Sequence, residues 1–237
     1  MSTAILMVIT GANAWTLNDG SKYPTGYWAS EFIHPHQVFT DAGLDITIAT
    51  PGGVEPTVDA VSLSPAMNGD DQASIDTQRA YLATFGDTLA SPAVLEKVDP
   101  ADFDAVYVCG GHGPMEDLGD NAAIGKVVTT LLDDPDKIVS ALCHGVAALL
   151  PARAEDGSWP FSGRKLTSLT NEEETAVGLA DKAPWLLETR LREAGADFQA
   201  GPAFLPHVIV DGNLVTGQNP ASAHLSAEAV VKILAGK

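Results

Sequence analysis

The chain has 237 residues, of which 45% are hydrophobic, and its 13 basic against 31 acidic residues give a net charge of −18. Such an acidic chain is not expected to bind nucleic acid or an anionic membrane, because both attract basic patches. No apolar run reaches the roughly 18 residues that a membrane span needs. The first residues lack the basic segment of a secretory signal peptide, so export is not expected. Two cysteines are too few for the disulfide framework of a small secreted protein. These features predict a globular protein of the cytoplasm.

Apolar runs of strand length recur along the chain, and several end at glycine or at a chemically reactive residue. Continuous apolar runs are typical of parallel strands that are buried on both faces. The predicted strands are Ala4–Thr10, Ile46–Ala49, Ala105–Cys109 and Ile138–Leu142, then Val208–Val210 and Leu214–Thr216 as a hairpin around Asp211-Gly212-Asn213.

Helical periodicity fills the gaps between these strands. The predicted helices are Glu31–Ala42, Ala122–Leu132, a segment through Leu187, Leu191 and Ala194 that ends at Gly195, and a C-terminal segment through Ala227, Val230, Val231 and Leu234. Alternating strands and helices predict an α/β fold, a three-layer α/β/α sandwich with a mostly parallel sheet.

Residues 52–100 are the exception, because they are polar and rich in turn residues. We expect an insertion or cap there, with one short helix near Asp76–Phe85. The chain shows no internal repeat and no low-complexity linker, so we expect residues 1–237 to form a single domain.

The motif with the clearest chemical meaning is Ser140-Ala141-Leu142-Cys143-His144-Gly145. A buried strand ends at Cys143 and an Ala/Leu-rich helix is predicted directly after it, which is the geometry of a nucleophile elbow. A thiol at a helix N-terminus is expected to favour the thiolate. The alternative is a buried structural cysteine, since free cysteines are often found in cores.

Gly110-Gly111-His112-Gly113-Pro114 follows the neighbouring predicted strand. Its backbone N–H groups can stabilise an oxyanion opposite a nucleophile at the carboxyl edge of the sheet. A plain tight turn is the alternative. Phosphate binding is a third option, but the run lacks the Lys-Ser/Thr ending of a phosphate-binding loop.

Two acidic features could supply carboxylates to this edge. Glu31 is either a first-turn acid of a helix capped by Ser30 or a carboxyl held beside the thiol, partly protonated by burial. Glu172, Glu173 and Glu174 are either a solvated helix start or include the acid that orients His144.

The other reactive residue types give weaker signals. His34 and His36 flank a proline without a third ligand, and the sequence contains neither CxxC nor HExxH, so we expect no metal site. We expect Cys109 to be a core residue and His224 to be a capping or interface residue.

Taken together, these motifs resemble the DJ-1/PfpI superfamily, and within it the glyoxalase III and heat-shock chaperone branch. The matching stretches run through almost the whole chain in order: Thr25-Gly26-Tyr27 with Glu31 and His34-Pro35, Gly110–Gly113, Ala141–Gly145, Leu166-Thr167 with Thr170–Glu174, and Val215–Ser222. The resemblance implies a flavodoxin-like fold of the class I glutamine amidotransferase type.

The resemblance also implies roles for individual residues. It places the nucleophile at Cys143, its histidine at His144, the carboxyl near the sulfur at Glu31 and the triad acid at Glu174. The run of three glutamates leaves the position of that acid open, with Glu173 as the alternative. The oxyanion and substrate contacts fall on the backbone of Gly111 and His112 and on Gly145.

By resemblance, the expected activity is a glyoxalase III-type reaction. A small 2-oxoaldehyde such as methylglyoxal becomes a 2-hydroxy acid such as D-lactate through a hemithioacetal, without a cofactor or a metal. A holdase chaperone, a cysteine peptidase or amidase, and a protein deglycase are the alternatives on the same fold. Members of the superfamily commonly form homodimers, which we expect here.

Overall fold

Strands and helices alternate through most of the protein, which a computed structural model describes over residues 3–236. The strands are β1 (Ala4–Val8), β2 (Ala14–Thr16), β3 (Lys22–Pro24), β4 (Asp45–Thr50), β5 (Ala93–Val94), β6 (Ala105–Val108), β7 (Ile138–Leu142), β8 (Lys165–Leu166), β9 (Asp197–Phe198), β10 (Val208–Asp211) and β11 (Leu214–Gly217). The α-helices are α1 (Ala29–Asp41), α2 (Gln72–Ala83), α3 (Gly86–Ala90), α4 (Pro114–Asp117), α5 (Ala122–Leu132), α6 (Asn171–Ala176), α7 (Leu187–Glu193) and α8 (Ala223–Ala235).

Seven of the strands form one sheet in the order β10-β11-β7-β6-β1-β4-β5. All neighbouring pairs in it are parallel except β10 and β11, which pair antiparallel as the predicted hairpin. The central strands β6 and β7 are buried along their whole length. This burial explains why their sequences read as continuous apolar runs.

Helices cover both faces of this sheet and create two hydrophobic clusters. On one face α1 and α8 pack through side chains such as Phe32, Phe39 and Val230. On the other face α5 and α7 pack through Val128, Leu191 and their neighbours. The predicted α/β/α sandwich with a mostly parallel sheet is therefore confirmed.

The predicted strands, and the predicted helices apart from the one after Cys143, are present, several of them with shifted ends. Ile138–Leu142 and Ala122–Leu132 are observed as predicted. The first strand ends at Val8 rather than at Thr10. The first helix begins at Ala29, so the expectation that Ser30 caps it is wrong: the capping position is Trp28, and no side chain caps the helix there.

Residues 52–100 contain more regular structure than the sequence indicated. Instead of one short helix near Asp76–Phe85, the segment forms α2 and α3. It also supplies β5, which joins the sheet beside β4. Near its start, Thr57 accepts a hydrogen bond from the backbone of Tyr27, and Asp59 accepts one from the Thr25 hydroxyl. The segment therefore supports the Thr25–Tyr27 loop.

Within residues 3–236, no helix has the length and apolar character needed to cross a membrane. The division of the chain into domains stays a prediction.

The turn after β7 packs directly on the end of β6. A Cβ atom on Gly145 would lie 2.6 Å from the carbonyl oxygen of Val108 and 2.7 Å from that of Cys109. Both atoms belong to the backbone of a buried strand end, which cannot move aside cheaply. The close approach of the two chain segments therefore requires glycine at this position.

We expect Gly145→Ala to lower the free energy of unfolding by about 1–3 kcal/mol, because the added methyl group overpacks a buried backbone contact. Gly86→Ala is the matched control, since a Cβ there meets nothing within 4 Å. Chemical denaturation of the two variants beside the wild type measures the difference. Equal stability of all three proteins would contradict the packing constraint.

Candidate active site

Cys143 lies at a sharp turn between β7 and the 3-10 helix Cys143–Leu149. Its φ of 56° is in the left-handed region that non-glycine residues rarely adopt. Strain of this kind is typical of a nucleophile elbow, where the turn projects a reactive side chain from the sheet edge. The predicted elbow is thus observed, although the segment after it is a seven-residue 3-10 helix rather than the expected α-helix.

Glu31 reaches the same place from the first turn of α1 and is completely buried. The backbone N–H of Gly110 donates to its Oε2 atom over 2.9 Å. Its Oε1 atom has no hydrogen-bond partner among residues 3–236. Burial raises the pKa of Glu31 to about 8, against the hydrogen bonds from Cys143 and Gly110. The carboxyl is therefore protonated at neutral pH and has a proton to donate.

The Cys143 side chain is 4% exposed. Burial, followed by the Glu31 carboxyl, raises the pKa of the thiol above its ordinary range, although the backbone N–H groups of His144 and Gly111 favour the thiolate. Burial therefore opposes the thiolate that the N–H groups at the turn favour, and the expectation of a resting thiolate stays a prediction. The thiol needs a proton acceptor before it can attack.

His144 is placed to be that acceptor. Its Nδ1 atom lies 3.7 Å from the Cys143 sulfur, and its Nε2 atom lies 2.6 Å from Oε2 of Glu174. Burial, then the charge of His112, lowers the pKa of His144 in spite of Glu174. A neutral His144 bound to Glu174 through Nε2 presents an unprotonated Nδ1 to the thiol.

The three consecutive glutamates have three different environments. Glu174 contacts His144, as the resemblance implied. Glu173 instead forms a capping box at the start of α6: Thr170 donates to it from both its backbone and its hydroxyl, and Phe204 and Asn219 donate to its other oxygen. Glu172 is exposed to solvent. The alternative assignment of the triad acid to Glu173 is therefore not supported by the geometry.

The side chain of His112 belongs to the same cluster, which sequence analysis missed. Its Nε2 atom lies 2.8 Å from Oε1 of Glu174, so this carboxylate bridges two imidazoles. The His112 ring contacts the His144 ring, with centroids 4.1 Å apart, and stacks on Trp15 from the other direction. No local pattern links these residues, because Glu174 and Trp15 are both far from His112 in the chain.

The glycine-rich turn lies against this cluster. Gly111 has a φ of 95°, and a Cβ on it would lie 2.4 Å from the carbonyl oxygen of Gly26. Its backbone N–H acts to lower the pKa of the Cys143 thiol, against the effect of burial. The oxyanion roles of Gly111, His112 and Gly145 stay predictions, and Gly145 has the packing role described above.

One cluster in residues 3–236 has the donor atoms of a metal site: His112, His144 and Glu174, all buried and with one ligand atom each within 4.8 Å. Two imidazoles and one carboxylate suit Zn²⁺. In this structure, however, both Nε2 atoms are already hydrogen-bonded to Glu174. A metal ion would have to replace both hydrogen bonds, so the cluster fits a triad acid with two donors better than a ligand set.

The remaining reactive residues lie outside the cluster. Cys109 is fully buried in the core, as predicted. His36 contacts the Tyr81 hydroxyl through Nδ1 over 3.0 Å, which is a structural role. His224 contacts Glu228 on the same helix over 3.2 Å.

Comparisons with known proteins agree with this geometry. The family model described as "DJ-1/PfpI family" matches residues 24–233. Glyoxalase 3 of Candida albicans is 30% identical over 234 residues, 96% of each chain. The crystal structure of glyoxalase III from the same organism superposes with a TM-score of 0.81 at 28% identity, over 98% of this chain and 97% of that one. The Rapid Encystment Protein of 24 kDa from Francisella tularensis superposes with a TM-score of 0.87 at 31% identity, over 98% and 99%. A match of this extent shows that the chain belongs to the DJ-1/PfpI family.

Proposed function

We propose that the protein is a glutathione-independent glyoxalase that converts methylglyoxal and similar 2-oxoaldehydes into 2-hydroxy acids such as D-lactate. The observation that carries the proposal is the buried set of Cys143, His144 and Glu174 with the buried carboxyl of Glu31 beside the thiol. Relatives that cover almost the whole chain carry the name glyoxalase, which supports the same reaction class. The reaction adds one water molecule to the substrate and needs no external oxidant or reductant.

The burial of the site supports a small substrate. Cys143 is 4% exposed, His144 1% and Glu174 3%. A peptide bond held in an extended chain would need an open cleft beside the nucleophile, whereas a three-carbon aldehyde needs little space. The geometry therefore favours the glyoxalase over the peptidase or amidase alternative.

The first step is the formation of a hemithioacetal. His144 accepts the thiol proton at Nδ1, and the Cys143 sulfur attacks the aldehyde carbon of the substrate. The new C–S bond forms as the C=O π pair moves to oxygen. That oxygen, stabilised by the N–H groups near Gly111 and His112, takes the proton from the His144 imidazolium, which returns His144 to its neutral form.

The second step removes a proton from C1 of the substrate and adds a different proton to C2. A neutral His144 can remove the C1 proton, which gives an enediolate bound to sulfur. Protonated Glu31 can then deliver its proton to C2, which gives a thioester of the 2-hydroxy acid. Burial lowers the pKa of His144 and raises that of Glu31 to about 8, so the two groups suit the roles of base and acid.

Hydrolysis completes the cycle. Water attacks the thioester carbon, the C–S bond breaks, and the sulfur leaves with a proton from His144. Glu31 and the thiol regain their starting protons, so atoms and charges balance.

We also propose that the protein acts in the cytoplasm and as a homodimer. The cysteines within the described part of the chain are free, which suits a reducing compartment such as the cytoplasm. Light scattering on the purified protein measures the mass of the assembly and so tests the homodimer.

We expect Cys143→Ala to abolish the formation of lactate from methylglyoxal in the absence of glutathione, a loss of about a thousandfold or more, because the hemithioacetal cannot form. Cys109→Ala is the matched control, since it removes a thiol that lies outside the proposed chemistry. Enzymatic quantification of D-lactate measures both. Full activity of folded Cys143→Ala would refute the mechanism.

We expect Glu174→Gln to lower kcat/KM by about 10²–10⁴-fold, since the amide neither stabilises the imidazolium nor fixes the His144 tautomer. Glu172→Gln changes the adjacent exposed carboxylate and should leave kcat/KM unchanged. Steady-state kinetics of both variants compares the two positions. A larger loss in Glu172→Gln than in Glu174→Gln would reverse the assignment of the triad acid.

The proposed roles predict a bell-shaped dependence of kcat/KM on pH. Activity requires neutral His144, whose pKa burial lowers from its ordinary range, and is lost as pH falls through that pKa. It also requires protonated Glu31, whose pKa is about 8, and is lost as pH rises through that value. A rate that keeps rising well above pH 8 would show that Glu31 is not needed as an acid.

The proposed roles of His144 and Glu31 do not involve a metal ion. The atoms of His112, His144 and Glu174 that could bind one form hydrogen bonds with each other instead. We therefore expect the protein to keep its full rate of lactate formation after dialysis against a chelator. Elemental analysis of the dialysed sample verifies that metal was removed. Loss of activity that Zn²⁺ restores would reassign His112, His144 and Glu174 as a metal site.

A further inference from the structure

A groove with a volume of about 430 Å³ opens on the surface at the far end of the 3-10 helix that begins at Cys143. Three segments form it: Gly119 after α4, Leu150 and Arg153 after the 3-10 helix, and the helix α7. Its volume falls in the range of roughly 300–1,000 Å³ that is usual for small-molecule sites. None of its lining residues takes part in the steps proposed above, so the groove is separate from the catalytic cluster.

Two arginines line this groove without an acidic partner. The chain has 31 acidic residues against 13 basic ones, so an exposed arginine is expected to find a carboxylate nearby. Arg192 on α7 does so, since its Nη2 atom lies 2.8 Å from Oε1 of Glu188. Within residues 3–236, neither Arg153 nor Arg190 forms an ion pair. The charges of these two arginines are therefore open to a ligand.

Backbone and aromatic contacts hold both guanidinium groups in place without neutralising them. Arg153 donates from Nη1 to the carbonyl oxygens of Leu150 and Ala152, over 2.7 Å and 2.6 Å. The guanidinium carbon of Arg190 lies 4.4 Å from the centroid of the Trp185 ring. Side chains that are already ordered lose less conformational entropy when they bind a ligand. The two arginines are thus prepared to bind an anion.

The lining of the groove is more basic than acidic. Among the described residues, Glu193 is the one acid that lines it, and this side chain is exposed to solvent. Arg153 also borders a second cavity of about 310 Å³. Lys126, Thr129 and Thr130 line that cavity, and no acidic residue of the described chain does. Because the protein as a whole has a net charge of −18, a local excess of cations is needed to hold an anion at its surface.

The groove also contains an apolar surface. Leu150 and the half-buried Trp159 line it. The indole N–H of Trp159 donates to the carbonyl oxygen of Leu149 over 2.7 Å, which fixes the ring by its edge. Trp185 packs under the groove, since a Cβ on Gly119 would lie 3.2 Å from its ring. An inorganic ion would leave this surface and most of the volume unused, so the groove suits an anion with an organic body.

We propose that the groove between the end of the 3-10 helix and α7 is a binding site for an organic anion. Arg153 and Arg190 hold its carboxylate or phosphate group, and its apolar part packs on Trp159. Both head groups have the same recognition chemistry, because a guanidinium presents paired N–H groups to two oxygens. The site does not depend on the reaction at Cys143, since no residue that lines the groove belongs to the catalytic cluster.

Calorimetric titration of the purified protein at low ionic strength tests the proposal, with phenylphosphate and 3-phenyllactate as probes. The two probes share a phenyl ring and differ in the head group, so their comparison identifies the preferred anion. We expect one of them or both to bind with a stoichiometry of one per chain. The same head groups without the ring, inorganic phosphate and lactate, should bind at least about tenfold more weakly. Absence of binding by both probes would overturn the proposal.

Substitutions locate the bound probe. Arg153→Gln and Arg190→Gln should each raise the Kd by about tenfold or more, because each removes a charge-assisted hydrogen bond to the anion. Arg192→Gln is the matched control, since it removes an equal charge from the same helix but from a residue that pairs with Glu188. An equal change in all three variants would overturn the proposal, because it would show a response to net charge alone.

Alkylation of Cys143 with iodoacetamide, verified by mass spectrometry, separates the groove from the active site. We expect the alkylated protein to bind the probe with the same Kd as the unmodified protein. Binding that alkylation abolishes and that the arginine substitutions leave intact would place the anion beside Cys143 and refute the proposal. These measurements read binding rather than turnover, so their outcome does not depend on whether the protein is a glyoxalase.

Discussion

The Glu174 carboxylate lies between two imidazoles, and the chemistry of the site depends on that bridge. One oxygen orients His144 toward the Cys143 sulfur, and the other fixes His112 against Trp15. Because the cluster is buried, none of these groups can turn to water for an alternative partner. The resulting site brings a thiol, an imidazole and the buried Glu31 carboxyl together, an arrangement suited to moving protons on a small carbonyl compound.

The parallel sheet is what makes this arrangement possible. β6 and β7 are neighbours in register, so the glycine turn after one and the elbow after the other meet at the same edge. Glu31 enters from the first turn of α1 and Glu174 from the first turn of α6, so the two acids come from the starts of two different helices. The close contact at Gly145 fixes the distance between the two turns.

The sequence predicted the sheet and the elbow because each has a local pattern: apolar runs, a cysteine at a strand end and glycines at the turns. A further local signal could have separated Glu173 from Glu174, since Thr170 and Glu173 have the spacing of a capping box. The role of the His112 side chain could not be predicted, because its partners Trp15 and Glu174 come close only in the folded chain. The state of the Cys143 thiol depends on burial, which the elbow motif does not encode.

The central claim is that His144 removes a proton from C1 of the substrate while a different group, Glu31, supplies one to C2. Lactate formed from unlabelled methylglyoxal in D₂O tests this most directly, because Glu31 carries exchangeable deuterium and the substrate does not. We predict lactate with deuterium at C2, detected by NMR, and none from Cys143→Ala. Lactate that keeps the original substrate hydrogen at C2 would contradict the account, since it would show a direct transfer in which Glu31 takes no part.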